Sequence, residues 1–118
     1  MKPKPLIWVG SSKEDLLEFS EEIKDVVGYA LYLAQKGDRS AHTKILKGFA
    51  GAGVIEIIES DQAGTYRVVY TVKLPKAVCV LHSFQKKSKY GIKTPKPEID
   101  LIKKRLKEAY IIYKELGL

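Results

Sequence analysis

Val54-Ile55-Glu56-Ile57-Ile58-Glu59, Thr65-Tyr66-Arg67-Val68-Val69-Tyr70-Thr71-Val72-Lys73 and Ala77-Val78-Cys79-Val80-Leu81-His82-Ser83-Phe84 are separated only by Ser60-Asp61-Gln62-Ala63-Gly64 and Leu74-Pro75-Lys76. Each run is rich in β-branched and aromatic residues, and each spacer is turn chemistry. Connections this short join antiparallel neighbours, because a parallel crossover needs roughly a dozen residues or more. The three runs therefore predict a β-meander.

Upstream of the meander, residues 38 to 53 read as a loop, with Gly48, Gly51 and Gly53 around Phe49. Before that, Leu16, Phe19, Ile23, Val26, Val27, Ala30, Leu31 and Ala34 recur at helical spacing. Ser11-Ser12-Lys13-Glu14-Asp15 offers a capping box and acids for the positive end of the dipole. Ser20-Glu21-Glu22 looks like a second start, so this stretch predicts two helices or one bent helix. The opening run Leu6-Ile7-Trp8-Val9, closed by Gly10, reads as an edge strand. Downstream, Thr94-Pro95-Lys96-Pro97-Glu98 punctuates a last helix whose stripe is Ile99, Ile102, Leu106, Ala109, Tyr110, Tyr113 and Leu116. The expected fold is α+β over a single domain of residues 1–118. Its N-terminal helices pack on a twisted antiparallel sheet, a three-stranded meander plus the N-terminal edge strand, and a C-terminal helix closes one side.

Charge is distributed unevenly along this frame. Gln62 to Pro97 is 36 residues long and holds no Asp or Glu, but carries Arg67, Lys73, Lys76, Lys86, Lys87, Lys89, Lys93 and Lys96. The first 61 residues balance at −2 and the last 21 at +1, so this one region supplies the whole excess of the net +7. Cations concentrated on strands and their connections gather on one side of a sheet, a field that attracts nucleic acid or an acidic protein segment. A solvated basic face is the plainer alternative. The lone cysteine, Cys79, lies in an apolar run and reads as a small core residue in a reducing compartment. No apolar stretch is long enough for a bilayer and no signal-peptide pattern opens the chain, so a cytoplasmic location without membrane contact is expected. Two distant histidines and one cysteine give no metal-ligand spacing, and no cofactor is expected.

Strand alternation places Arg67 and Lys73 on one face of their strand, and Val78, Val80, His82 and Phe84 together on one face of the next. In a meander the end of the third strand lies near the start of the second, so Lys86 or Lys87 can approach Arg67. Arginine grips a phosphate in a bidentate fork and lysine adds a compact charge. Phe84 or Tyr90 could stack on an unpaired base, and Lys73 and Lys89 extend the basic surface. If such a patch cleaves RNA, the 2′-OH needs a base, the leaving oxygen an acid and the phosphorane a cationic cradle. His82 is the candidate acid or base, and a hydrogen-bonded strand histidine is its plainer reading. For Arg67 the structural alternative is an ion pair with Glu56 or Glu59 of the adjacent strand.

Trp8-Val9-Gly10-Ser11-Ser12, Leu46-Lys47-Gly48, Gly64-Thr65-Tyr66-Arg67-Val68-Val69-Tyr70-Thr71-Val72 and Val80-Leu81-His82-Ser83-Phe84-Gln85-Lys86-Lys87-Ser88 together resemble the RelE/ParE superfamily of toxins, in its phage-related branch. The resemblance covers about Leu6 to Leu116. It implies a bacterial toxin of a type II toxin–antitoxin pair, neutralised by a small helix-turn-helix DNA-binding antitoxin. For the ribosome-dependent messenger RNA endonucleases of the superfamily, it implies that Arg67 contacts the scissile phosphate and that Lys86 or Lys87 stabilises the transition state. The preceding strand carries Glu56 and Glu59 where those nucleases carry lysines. The expected activity is that of a metal-independent mRNA interferase whose partners are ribosome and mRNA. A ParE-like inhibitor of DNA gyrase and a non-enzymatic phage-derived nucleic-acid-binding protein stay open beside it.

Overall fold

The computed structural model describes residues 2–51, 53–86 and 93–118. In chain order the elements are β1 (Leu6–Trp8), α1 (Ser12–Leu17), α2 (Glu21–Gln35), β2 (Thr43–Ile45), β3 (Val54–Asp61), β4 (Gly64–Thr71), β5 (Val78–Lys86) and α3 (Lys96–Glu115). They form an α+β fold around one five-stranded sheet in the order β1-β5-β4-β3-β2.

The meander forms as its spacers require, with β3–β4 and β4–β5 both antiparallel. Two features depart from the expected sheet. β1 pairs with β5 in parallel, Leu6 opposite Val78 and Trp8 opposite Val80, so the sheet is mixed. The segment expected to be loop contributes β2, paired antiparallel to β3 with Lys44 opposite Glu56.

Helices cover both faces of the sheet. α1, α2 and the turn between them bury Leu16, Phe19, Ile23, Val27, Ala30, Leu31 and Ala34 against Ile55, Ile57, Tyr66, Val68, Tyr70, Val78 and Val80. On the other face α3 buries Ile102 and Ala109 against Ile7, Val9, Leu46, Val54, Val69, Cys79 and Leu81. A sheet covered on both sides explains why β3 to β5 read as almost continuous apolar runs rather than as a strict alternation. The two-helix reading holds: Ser20 caps α2, its side chain accepting a hydrogen bond from the Ile23 amide at 3.4 Å. α1 lacks the expected capping box, because its N-cap residue Ser11 makes no capping bond and donates instead to Asp15 Oδ2 at 2.8 Å. The stripe of α3 is rotated slightly from the expected one. Ile112 and Tyr113 pack inward, while Tyr110 and Leu116 are exposed.

The register of β4 against β5 shifts between Val69 and Tyr70: Tyr70 lies opposite Val80, but Val69 lies opposite His82. Leu81 is the extra residue of a β-bulge. Without the bulge, Ser83 and Gln85 would share a face with Arg67. With it, Phe84 stands opposite Arg67, His82 opposite Val69, and Lys86 opposite Thr65. The expected grouping of His82 and Phe84 with Val78 and Val80 is therefore corrected, because one inserted residue turns the rest of the strand over.

Candidate functional site

The bulge gathers Arg67, His82, Phe84 and Lys86 on the α3 side of the sheet, beyond the part that Ile102 and Ala109 cover. Two polar clusters form there. The first centres on Arg67, which is 3 % exposed, and Glu56, which is fully buried. Register puts Glu56 opposite Val69 and Ile58 opposite Arg67, so the two charged residues are diagonal neighbours on one face. Arg67 NH1 lies 3.0 Å from Glu56 Oε1. Thr94, just before α3, donates from Oγ1 to Glu56 Oε2 at 2.8 Å and accepts from Arg67 NH1 at 3.4 Å. Lys44 of β2 adds its ammonium 3.8 Å from Glu56 Oε1. Of the two carboxylates expected to compete for Arg67, Glu56 holds it. Glu59 lies on the other face and meets His42 at 3.3 Å. Beside this cluster opens a cavity of about 380 Å³ lined by Lys44, Ile45, Leu46, Lys47, Lys93, Thr94 and Ile99. Its rim carries three lysines.

The second cluster centres on His82, which is buried. Its Nε2 is 2.5 Å from Glu98 Oε2, and its Nδ1 is 3.2 Å from Arg105 NH1. Its ring stacks on Phe84 at 4.7 Å between centroids. Glu98 sits in the first turn of α3, where a carboxylate suits the helix dipole. A shallower cavity of about 200 Å³ adjoins this cluster, lined by Phe84, Gln85, Lys86, Pro95, Pro97 and Glu98. Lys86 reaches over it to the Lys93 carbonyl at 3.3 Å.

Not every expected site residue joins these clusters. Lys73 lies past the far end of β4, folded over Gly53, with its ammonium on the Ala50 carbonyl. Lys87, Lys89 and Tyr90 lie outside the described residues. Sequence reasoning passed over Thr94, Lys44, Glu98 and Arg105. Among the described residues no group of three or more His, Cys, Asp or Glu side chains could hold a metal ion, and no helix is long and apolar enough to cross a membrane.

The family described as Phage derived protein Gp49-like (DUF891) matches residues 14–107. The chain belongs to that family. The Arg67 and His82 motifs both lie within the matched residues of this phage-derived family. The match spans α1 to the middle of α3 and so includes both polar clusters. Among solved structures, the Gp49-like chain is similar to the toxin–antitoxin complex RelBE2 from Mycobacterium tuberculosis. The identity is 19 %, the match covers 72 % of this chain and 100 % of that one, and the TM-score is 0.46. No curated protein matches it.

Proposed function

We propose that this protein is the toxin of a type II toxin–antitoxin pair and that it arrests growth by metal-independent cleavage of messenger RNA on the ribosome. The observation that carries this reading is the β-bulge at Leu81, which brings His82, Phe84 and Lys86 to the face of Arg67 beside a lysine-rimmed cavity. Membership of the phage-derived Gp49-like family, together with the sequence resemblance to the phage-related branch of the RelE/ParE toxins, supports it. In this reading the RNA backbone lies along Lys44, Lys47 and Lys93. A phosphate replaces Thr94 as the outer partner of Arg67, and Lys86 stabilises the phosphorane. Phe84 offers a ring at the rim for a base. The antitoxin covers the same face with an acidic or amphipathic segment, and a complex that left Lys44 and Lys86 open to solvent would contradict this.

One observation favours a second reading. Glu56 already matches the charge of Arg67, and the cavity beside that pair is rimmed by Lys44, Lys47 and Lys93. Such a rim can dock an acidic protein surface, as a ParE-like gyrase inhibitor requires. Induced expression of wild type and Arg67→Lys in bacteria, with mRNA 5′ ends mapped during arrest, separates the two. Arg67→Lys keeps a cation beside Glu56 but loses the fork. New cuts within translated frames that fall by about 10²–10³ in the variant support the nuclease. Arrest with intact messages overturns it and directs the next assay to gyrase supercoiling.

A further inference from the structure

His82 has both ring nitrogens engaged, and the identity of one partner decides where the ring proton lies. Arg105 NH1 is 3.2 Å from Nδ1. A guanidinium has donors only and stays protonated in proteins, so Nδ1 must accept. The proton is then on Nε2, which donates to Glu98 Oε2 at 2.5 Å.

The fold builds a seat for Arg105. Its NH1 also donates to the carbonyl of Leu81, the extra residue of the bulge, at 3.1 Å. Its NH2 donates to Ser11 Oγ at 3.0 Å, and Ser11 is fixed in turn by Asp15. Gly10 lies against the guanidinium so closely that a Cβ there would stand 2.7 Å from Nε. The β1–α1 turn, the bulge and α3 thus meet on one side chain, which stands on the Nδ1 side of the imidazole. On the Nε2 side, Glu98 lines the small cavity that Lys86 also lines. An anionic oxygen is already received at that position, beside a lysine and next to open space.

We propose that Arg105 is a positioning residue that holds His82 as the Nε2–H tautomer, and that His82 acts as a hydrogen-bond donor to an RNA phosphate oxygen rather than as a base. The Glu98 carboxylate occupies the position that this oxygen takes. The proposal rests on the nuclease reading of the same site. It excludes His82 as the base because a lone pair on Nε2 would put the ring proton on Nδ1, donor against donor with Arg105. Exchange of Glu98 for phosphate swaps one anionic acceptor for another, while Phe84 stacked on the ring restrains its tilt.

The test uses the purified full chain with ¹⁵N-labelled histidine and long-range ¹H–¹⁵N spectra, with His42→Asn assigning the only other histidine. The expected result is His82 as Nε2–H in the wild type and a mixture of tautomers in Arg105→Met. A wild-type His82 protonated on Nδ1, or a tautomer unchanged in Arg105→Met, overturns the positioning role. The wild-type spectrum alone decides this should Arg105→Met not fold. For the donor role, His82→Gln supplies an amide N–H near the place of Nε2–H. It should retain most of the cleavage that His82→Ala loses, the latter by about 10²–10³-fold. Equal losses in both variants overturn the donor role. Should the wild type cut no message, the proposed function and the RNA role of His82 fall together, and the spectra still judge Arg105.

Discussion

Arg67 on β4 and Glu56 on β3 form an ion pair of 3.0 Å with both side chains almost wholly removed from solvent. Burial of two charges is repaid only when each keeps its partners, so breaking such a pair costs about 3–5 kcal/mol. The two partners are not equivalent. Removing Arg67 leaves Glu56 with Lys44 and Thr94, whereas removing Glu56 takes away the only carboxylate within ion-pair distance of Arg67 among the described residues. Glu56→Ala is therefore expected to be the more damaging single change in urea denaturation. The double variant Glu56→Leu/Arg67→Met should recover most of the loss. Single losses below about 1 kcal/mol would mean that the pair behaves as a solvated surface contact.

Gly10 and Arg105 provide a second quantitative test. Gly10 has φ +57°, a conformation that costs a residue with a side chain on the order of 1–3 kcal/mol. Gly10→Ala carries this cost and also pushes against Arg105. In an Arg105→Ala background only the backbone part remains, so a double-mutant cycle should show a coupling of about 0.5–3 kcal/mol. Strict additivity would show that the guanidinium does not occupy its seat over Gly10.

These two pairs mark what was legible in the sequence. Short spacers fixed the meander, helical spacing fixed α2, and the mid-strand Arg67 pointed to Glu56 as one of two partners. β2 was hidden because Thr43-Lys44-Ile45 is three residues long and lies at the sheet edge, too short to display alternation. The bulge was hidden because Val78 to Phe84 runs on with no Gly or Pro to mark the slip at Leu81. It moved the candidate histidine to the other face. Arg105 sits among Lys103, Lys104 and Lys107, and composition does not set it apart from these cations. Its signal was position: it lies three residues after Ile102 and four before Ala109, on the edge of the stripe that packs inward.

Tyr70 is fully buried, and among the described residues its hydroxyl has no hydrogen-bond partner. Burial raises its pKa above the usual tyrosine value, with Arg39 opposing that shift. A buried donor left unmatched costs about 1–3 kcal/mol, so Tyr70→Phe should leave stability unchanged or raise it by about 1 kcal/mol. Thermal and urea unfolding of the variant measure this directly. A loss above about 1 kcal/mol would reveal that the hydroxyl contributes a bond in solution.

Cys79 lies fully buried beneath α3, and burial pushes its thiol from 9.0 up to about 11. Thiolate is the reactive form, so the folded chain should resist a disulfide reagent at pH 8 and react once unfolded by urea. The same shift links stability to pH. Between about 9 and about 11 the unfolded chain releases this proton while the folded chain keeps it, so the folded state binds more protons and stability falls as pH rises. Below about 9 both states hold the proton and the contribution is complete. Lysines and tyrosines also titrate in this window, so the measurement is the difference in slope of the urea midpoint between wild type and Cys79→Ala. The variant should be less stable at neutral pH, because it leaves a small cavity, and should lose stability less steeply above pH 9. Equal slopes would mean that the thiol ionises as freely in the folded chain as in the unfolded one.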